Sequence, residues 1–415
     1  MSIESNVNSD AIRDASKISL SKKGILGIQH AFTMFGATVL VPIITGLDIS
    51  VALFMAGIGT LLFHLITKGK VPAFLGSSFA FIAPMLAVVK IIEEGGGTDG
   101  LAYARGGLVV AGLVYLVLAG LIYFFGVEKV IKFFPPIVTG PIIIVIGLKL
   151  APVAIDMASG GWGFAILSFI IVTGVSVYCK GFLKVVPVII GLVGAYIIAI
   201  IFGSVDFTPV SEAKWIGVPG FTMAKFSVET VMMVAPIALA TMVEHIGDVL
   251  AIGSTVEKDF MKEPGLHRTL LGDGIATSLS ALFGGPANTT YSENTGVLAL
   301  TKVWDPLIMR IAAVFAILLS IIPKLSSIIS TIPTSIVGGI SIVLFGMIAS
   351  IGARTLVENK IDFTKARNLI ISAVIMVLGL GGAALPVKFG MVNFAIEGMA
   401  LAAIVGIILN KVLPE

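Results

Sequence analysis

A chain of 415 residues that is 57% hydrophobic and 12% charged, with a mean hydropathy of +1.07, lies far from a soluble domain's mix and is solvated by lipid. Its net charge of +3 does not point to nucleic acid, and its single cysteine, Cys179, excludes an internal disulfide and is left a packing role. The four histidines show no metal-ligand spacing and no G-x-x-x-x-G-K-S/T run is present, so neither an enzyme nor a nucleotide-driven pump is indicated.

Residues 1–24 read as a polar cytoplasmic tail, because their charges and apolar residues do not follow the order of a removable signal peptide. Apolar spans follow at roughly 25–45, 50–67, 71–89, 106–126, 136–154, 162–179, 185–203, 227–252, 268–284, 286–301, 305–323, 333–352, 368–385 and 390–411, about fourteen in all. This predicts an all-α polytopic membrane protein. With the tail inside, about nineteen lysines and arginines fall on the inner side and about seven on the outer, so both termini are expected in the cytoplasm.

Two spans are not simple helices. In the third, Val71-Pro72-Ala73 leads through Gly76, Ser77 and Ser78 to Phe79; in the tenth, Pro286 to Tyr291 favours extended backbone before Ser292, placed to cap a helix with Glu293 in its first turn. Each reads as a short extended segment followed by a half-helix. Transporters place substrates at such breaks, where protein or a water-filled cavity satisfies the freed backbone groups. The interval from Phe79 to Glu293 is close to that from Gln29-His30 to Glu244-His245, which predicts two inverted seven-span repeats. The half-helix N-termini would then face each other, with positive dipole ends favouring acceptor atoms between them.

Glu244 and Asp248 lie four residues apart, on one face of the eighth span. Ionisable groups inside a span mark function by default, although Glu293 also suits a capping role at a first turn. His30 is balanced between a coupling role and an interhelical hydrogen bond, and His245 leans to the latter.

Glu293-Asn294-Thr295-Gly296 through Thr301-Lys302 resembles the signature of the nucleobase-ascorbate transporter (nucleobase:cation symporter-2) family: Gln, Glu or Pro, then Asn-x-Gly, four residues, Thr and a basic residue or Gly. Gln29-His30, Gly76 to Phe81 and Pro236 to Asp248 match that family's other landmarks, and the opening Glu is most like the bacterial uracil permeases. The resemblance implies fourteen spans divided into a core domain (25–126 and 227–323) and a gate domain (127–226 and 324–415), which also forms a homodimer in the bacterial cytoplasmic (inner) membrane. It implies substrate binding by the side chains of Glu244 and Glu293 and by backbone at Phe79 and Ser292, supported by Ser78, Tyr291, Asn294 and Gly296. Asp248 stands where some uracil members carry histidine.

The chemistry points the same way. Uracil offers two N–H donors and two carbonyl acceptors, matching carboxylates, backbone N–H groups and a flat apolar neighbour such as Phe79. A proton carried by Asp248, assisted by His30, is the expected coupling ion, because burial favours a carboxyl's neutral form; Na+ is the alternative, and no cofactor is expected. A xanthine or hypoxanthine symporter is the second reading within the family. An anion exchanger or channel of similar architecture is the third, opposed by the doubly acidic site.

Overall fold

The computed structural model describes residues 11–389 and 392–414; residues 1–10 of the expected tail lie outside the described residues. Helix begins before residue 24, because Ser19 accepts a hydrogen bond from the Lys22 N–H and caps α1, Leu20–Thr45. Gly46 ends α1 in the left-handed region at φ +80°, and Asp48 caps α2, Ile49–Ile66, by accepting from the Val51 N–H at 2.9 Å. The other helices of ten residues or more among the described residues are α3 Ile82–Glu94, α4 Gly100–Phe125, α5 Pro136–Lys149, α6 Trp162–Tyr178, α7 Pro187–Ile201, α8 Ala238–Val256, α9 Leu266–Leu282, α10 Ser292–Thr301, α11 Leu307–Ser320, α12 Thr334–Glu358, α13 Ala366–Gly381 and α14 Gly398–Val412.

Among the described residues, six helical stretches are long and apolar enough to cross a membrane alone, or seven if α11 and Pro323–Ser330, bent by 81°, count as one. About fourteen spans were expected, the third and tenth of them broken. The difference is one of length: α3 has 13 residues and α10 has 10, about 20 and 15 Å of helix against a hydrocarbon core of about 30 Å.

The centre of the molecule is an antiparallel pair of three-residue strands, β1 Leu75–Ser77 and β2 Asn288–Thr290, paired Leu75 to Thr290, Gly76 to Thr289 and Ser77 to Asn288. The ladder extends by one bond at each end, from the Ser78 N–H to Ala287 O (2.9 Å) and from the Tyr291 N–H to Phe74 O (3.0 Å). The first residue of each strand is satisfied by a threonine of the preceding long helix. Thr60 on α2 accepts from the Leu75 N–H (2.9 Å) and lies 3.3 Å from Leu75 O; Thr277 on α9 accepts from the Asn288 N–H (3.2 Å) and donates to Asn288 O (2.8 Å). Six residues of buried extended backbone are held this way inside a helical protein, where an unmet backbone group is costly.

The helices pack in two sets. α1 to α4 and α9 to α11 pack on one another, and α5, α6, α7, α12, α13 and α14 on one another. Paired glycines allow a close crossing in each set: a Cβ on Gly274 of α9 would stand 2.7 Å from Gly112 O of α4, and one on Gly352 of α12 would stand 2.6 Å from Gly140 O of α5. Backbones this close require residues without side chains.

Three segments depart from the spans read above. Near the C-terminal spans, β3 Ala384–Phe389 pairs antiparallel with β4 Val392–Glu397 rather than forming helix. Gly382, at φ +67°, stops α13, and Pro386 then blocks a new helix while Val and Phe favour strand. The eighth span is interrupted by a 3-10 turn at Ala235–Ile237 around Pro236, between Val228–Val234 and α8. The tail docks: Ile12 donates to Lys302 O (2.8 Å) and accepts from the Trp304 N–H (2.9 Å), and the Ala15 N–H donates to Asp305 Oδ2 (2.6 Å). Arg13 pairs with Glu257 (2.7 Å), donates to Val256 O (3.0 Å) and lies over the Trp304 ring, 4.7 Å from its centroid.

Candidate functional site

Where β1 and β2 end, two helical segments begin back to back. After β1, Ser78 holds the N-cap position of the turn Phe79–Phe81 that runs into α3; after β2, Tyr291 is the N-cap of α10. Neither start carries a side-chain cap hydrogen bond, so first-turn N–H groups from both helices face the region between them. Ser292 was expected to cap. It is instead the first residue of α10, and its hydroxyl donates to Asp248 Oδ1, an ionisable acceptor that outcompetes a backbone role.

Asp248 is buried on α8 and receives a second hydroxyl, from Thr290 Oγ1 to Oδ2 at 3.0 Å. Both carboxyl oxygens are thus engaged by the β2–α10 junction. Glu244, one turn earlier and half-buried, lies within electrostatic reach of Asp248, Glu293 and Asp273, and its Oε2 has no protein partner among the described residues. Ser292 and Glu293 are accessible, whereas Asn294 is buried. The Phe79 ring is half-buried and meets Phe345 of α12 edge to face, with centroids 6.0 Å apart at 73°, so an aromatic pair joins the two packing sets.

The supporting residues occupy distinct places. Tyr291 lies across Gly76, its hydroxyl donating to Ser77 O at 3.0 Å and 3.3 Å from Thr38 Oγ1; a Cβ on Gly76 would stand 2.5 Å from the ring. Gly296 faces Val185, where a Cβ would meet Cγ1 at 2.8 Å. The buried Ser78 hydroxyl has no partner among the described residues. His30 is brought to Asn294, with Nδ1 3.0 Å from Nδ2 and His30 O accepting from the same amide at 3.1 Å; among the described residues no hydrogen bond joins it to Asp248. His64, near the end of α2, holds Ala73 O at 2.8 Å, just before β1.

Sequence reasoning passed over Asp273, Thr290 and Phe345. Asp273 carried a usable signal, an acid between two glycines in an apolar run; Thr290 and Phe345 did not, since threonine in an extended segment and phenylalanine in a span are ordinary packing residues.

A helical bundle in which two broken segments pair through buried strands, with uncapped helix starts and carboxyls converging on the junction, defines a multi-pass membrane transporter. The solved transmembrane domain of a cyanobacterial bicarbonate transporter, BicA, shares the fold, with a TM-score of 0.66 over 94% of this chain and 97% of that one at 17% identity. The family model Xan_ur_permease, a permease family, matches residues 21–388, and the chain belongs to that family, the nucleobase-ascorbate transporters. It is 47% identical over 404 residues to the probable uracil permease of Pasteurella multocida, covering 95% of this chain and 94% of that one. It is 46% identical over 404 residues to the uracil permease of Bacillus caldolyticus, covering 94% and 91%. These relatives are permeases, transporters rather than enzymes.

Proposed function

We propose that this protein takes up uracil across the bacterial inner membrane by proton symport. The observation that carries the reading is the grouping of Glu244, Asp248 and Glu293 at the uncapped start of α10, next to the β1–β2 pair, in a chain whose relatives are named uracil permeases. Glu244 and Glu293 accept the two uracil N–H groups, first-turn N–H groups at Phe79 and Ser292 donate to its carbonyls, and the Phe79 ring covers its face.

Asp248 couples the proton. While ionised it accepts from both Ser292 and Thr290; once protonated it donates from one oxygen, and the hydroxyl facing that oxygen must switch from donor to acceptor. Proton binding is thereby felt at the first residue of α10, beside Glu293. With the site loaded, less uncompensated charge crosses the bilayer.

The fold is read as fourteen spans in two inverted seven-span repeats, supported by the matching roles of Thr60 and Thr277 and by the back-to-back helix starts. The core (25–126 and 227–323) moves against the gate (127–226 and 324–415) in alternating access, a division supported by the two packing sets. Both termini lie in the cytoplasm, and the gate holds a homodimer. The test is uptake of labelled uracil into proteoliposomes with and without an imposed pH gradient: accumulation that follows the gradient is expected, and uptake indifferent to pH but driven by Na+ overturns the proton.

A further inference from the structure

We propose that Asp273 and His245 form a positioning pair for Asp248, acting through the Thr290 hydroxyl; the inference rests on the proposed coupling role of Asp248. Both side chains are fully buried, and Asp273 Oδ2 lies 3.1 Å from His245 Nδ1. The same Nδ1 is 3.4 Å from Thr290 Oγ1, which donates to Asp248 Oδ2 at 3.0 Å. Neither Asp273 oxygen nor His245 Nε2 has a hydrogen-bond partner among the described residues, so Oδ2 meets Nδ1 as a close electrostatic contact.

The site is sealed around this row. A Cβ on Gly272 would stand 2.9 Å from the Phe63 ring and one on Gly274 2.6 Å from Tyr115 Cβ, so the two glycines let α2 and α4 close over Asp273. Phe63 also meets the His245 ring edge to face, at 6.4 Å. The titratable groups facing the pair are Tyr115 from α4 and Glu244 and Asp248 from α8.

The chemistry gives the row a direction. An ionised carboxylate only accepts, so beside Asp273 the imidazole keeps its proton on Nδ1, and that N–H also faces the Thr290 oxygen. Thr290 then has one place for its own proton, Asp248 Oδ2. Without Asp273, Nδ1 is free to become a lone pair and to compete with Asp248 for that proton. Packing alone does not account for the pair, because replacing two buried polar partners by apolar groups of the same shape can be nearly neutral or stabilising.

Infrared spectroscopy of the full-length protein in lipid reads the Asp248 carboxyl directly, as the band lost in Asp248→Asn. In Asp273→Ala and Thr290→Val this band is expected to move in the same direction. In Thr290→Ser, which keeps a hydroxyl, and Asp273→Asn, whose amide oxygen still accepts from Nδ1, it is expected to stay. Gradient-driven uracil accumulation should fall about tenfold or more in the first two variants. An unmoved band in folded Asp273→Ala overturns the pair, as does a band that moves in Asp273→Asn as much as in Asp273→Ala. The coupling reading fails separately, if Asp248→Asn still concentrates uracil.

Discussion

Glu244 and Glu293 offer a ligand only acceptors, and each is expected to hold one N–H of the base. Loss of a hydrogen bond to a charged group costs about 1.5–3 kcal/mol, so Glu244→Ala or Glu293→Ala should weaken uracil binding roughly ten- to a hundred-fold. Calorimetry on the purified variants checks this, and unchanged affinity would sink the assignment. Glu293→Gln adds a donor and should move preference toward purines, read by competition of xanthine against labelled uracil; an unaltered ranking in a folded variant counts against it. Asp248→Asn mimics the protonated acid, so pH-driven accumulation in proteoliposomes should fail while exchange of uracil across the membrane persists. At this scale the carboxyls of α8 and α10 were legible, because ionisable residues stand out in apolar runs. The His30–Asn294 contact was not, since it joins residues 264 apart in sequence through geometry that no local pattern encodes.

At the scale of elements, the β1–β2 junction depends on Gly76. The Tyr291 ring crosses it and is pinned by Ser77 O and Thr38, so a methyl at position 76 has no direction in which to push the ring. Gly76→Ala should destabilise the protein by about 1–3 kcal/mol, the usual cost of overpacking. Scanning fluorimetry in detergent reads it as a lower midpoint, and an unchanged midpoint would show that the ring yields. Both broken segments could be seen in the sequence, because proline and small residues ahead of a serine interrupt an otherwise apolar stretch. The serines' work could not. Ser292 serves Asp248 rather than the α10 backbone, and a hydroxyl's choice between two acceptors is settled only by which one folding brings near. The β3–β4 pair was hidden for a different reason: short, mostly apolar runs carry too little period to separate strand from helix.

For the whole molecule, the proposed alternating access has one packing set stay fixed while the other moves. If the gate is the fixed part, it needs a partner, and the close α5–α12 crossing at Gly140 and Gly352 gives it a rigid frame. A homodimer is therefore expected, checked by mass measurement in both detergent and nanodiscs; monomer alone in both would refute it. Overall membrane character was plain from composition. The 81° bend between α11 and Pro323–Ser330 was less so, because hydropathy measures how apolar a stretch is, not whether its helix runs straight.

The β1–β2 pair also constrains the order in which the chain can be made. Tyr291 closes on Ser77 across 214 residues of sequence, and at about 5–20 residues per second the second half of the junction emerges roughly 10 to 40 s after the first. Through that interval β1 has no strand partner, and Thr60, already synthesised on α2, is the group at hand to occupy the Leu75 N–H. The centre of the finished transporter thus cannot close before residue 291 is made, and the nascent first half must wait in the membrane, or in the machinery that inserts it, with its backbone incompletely paired.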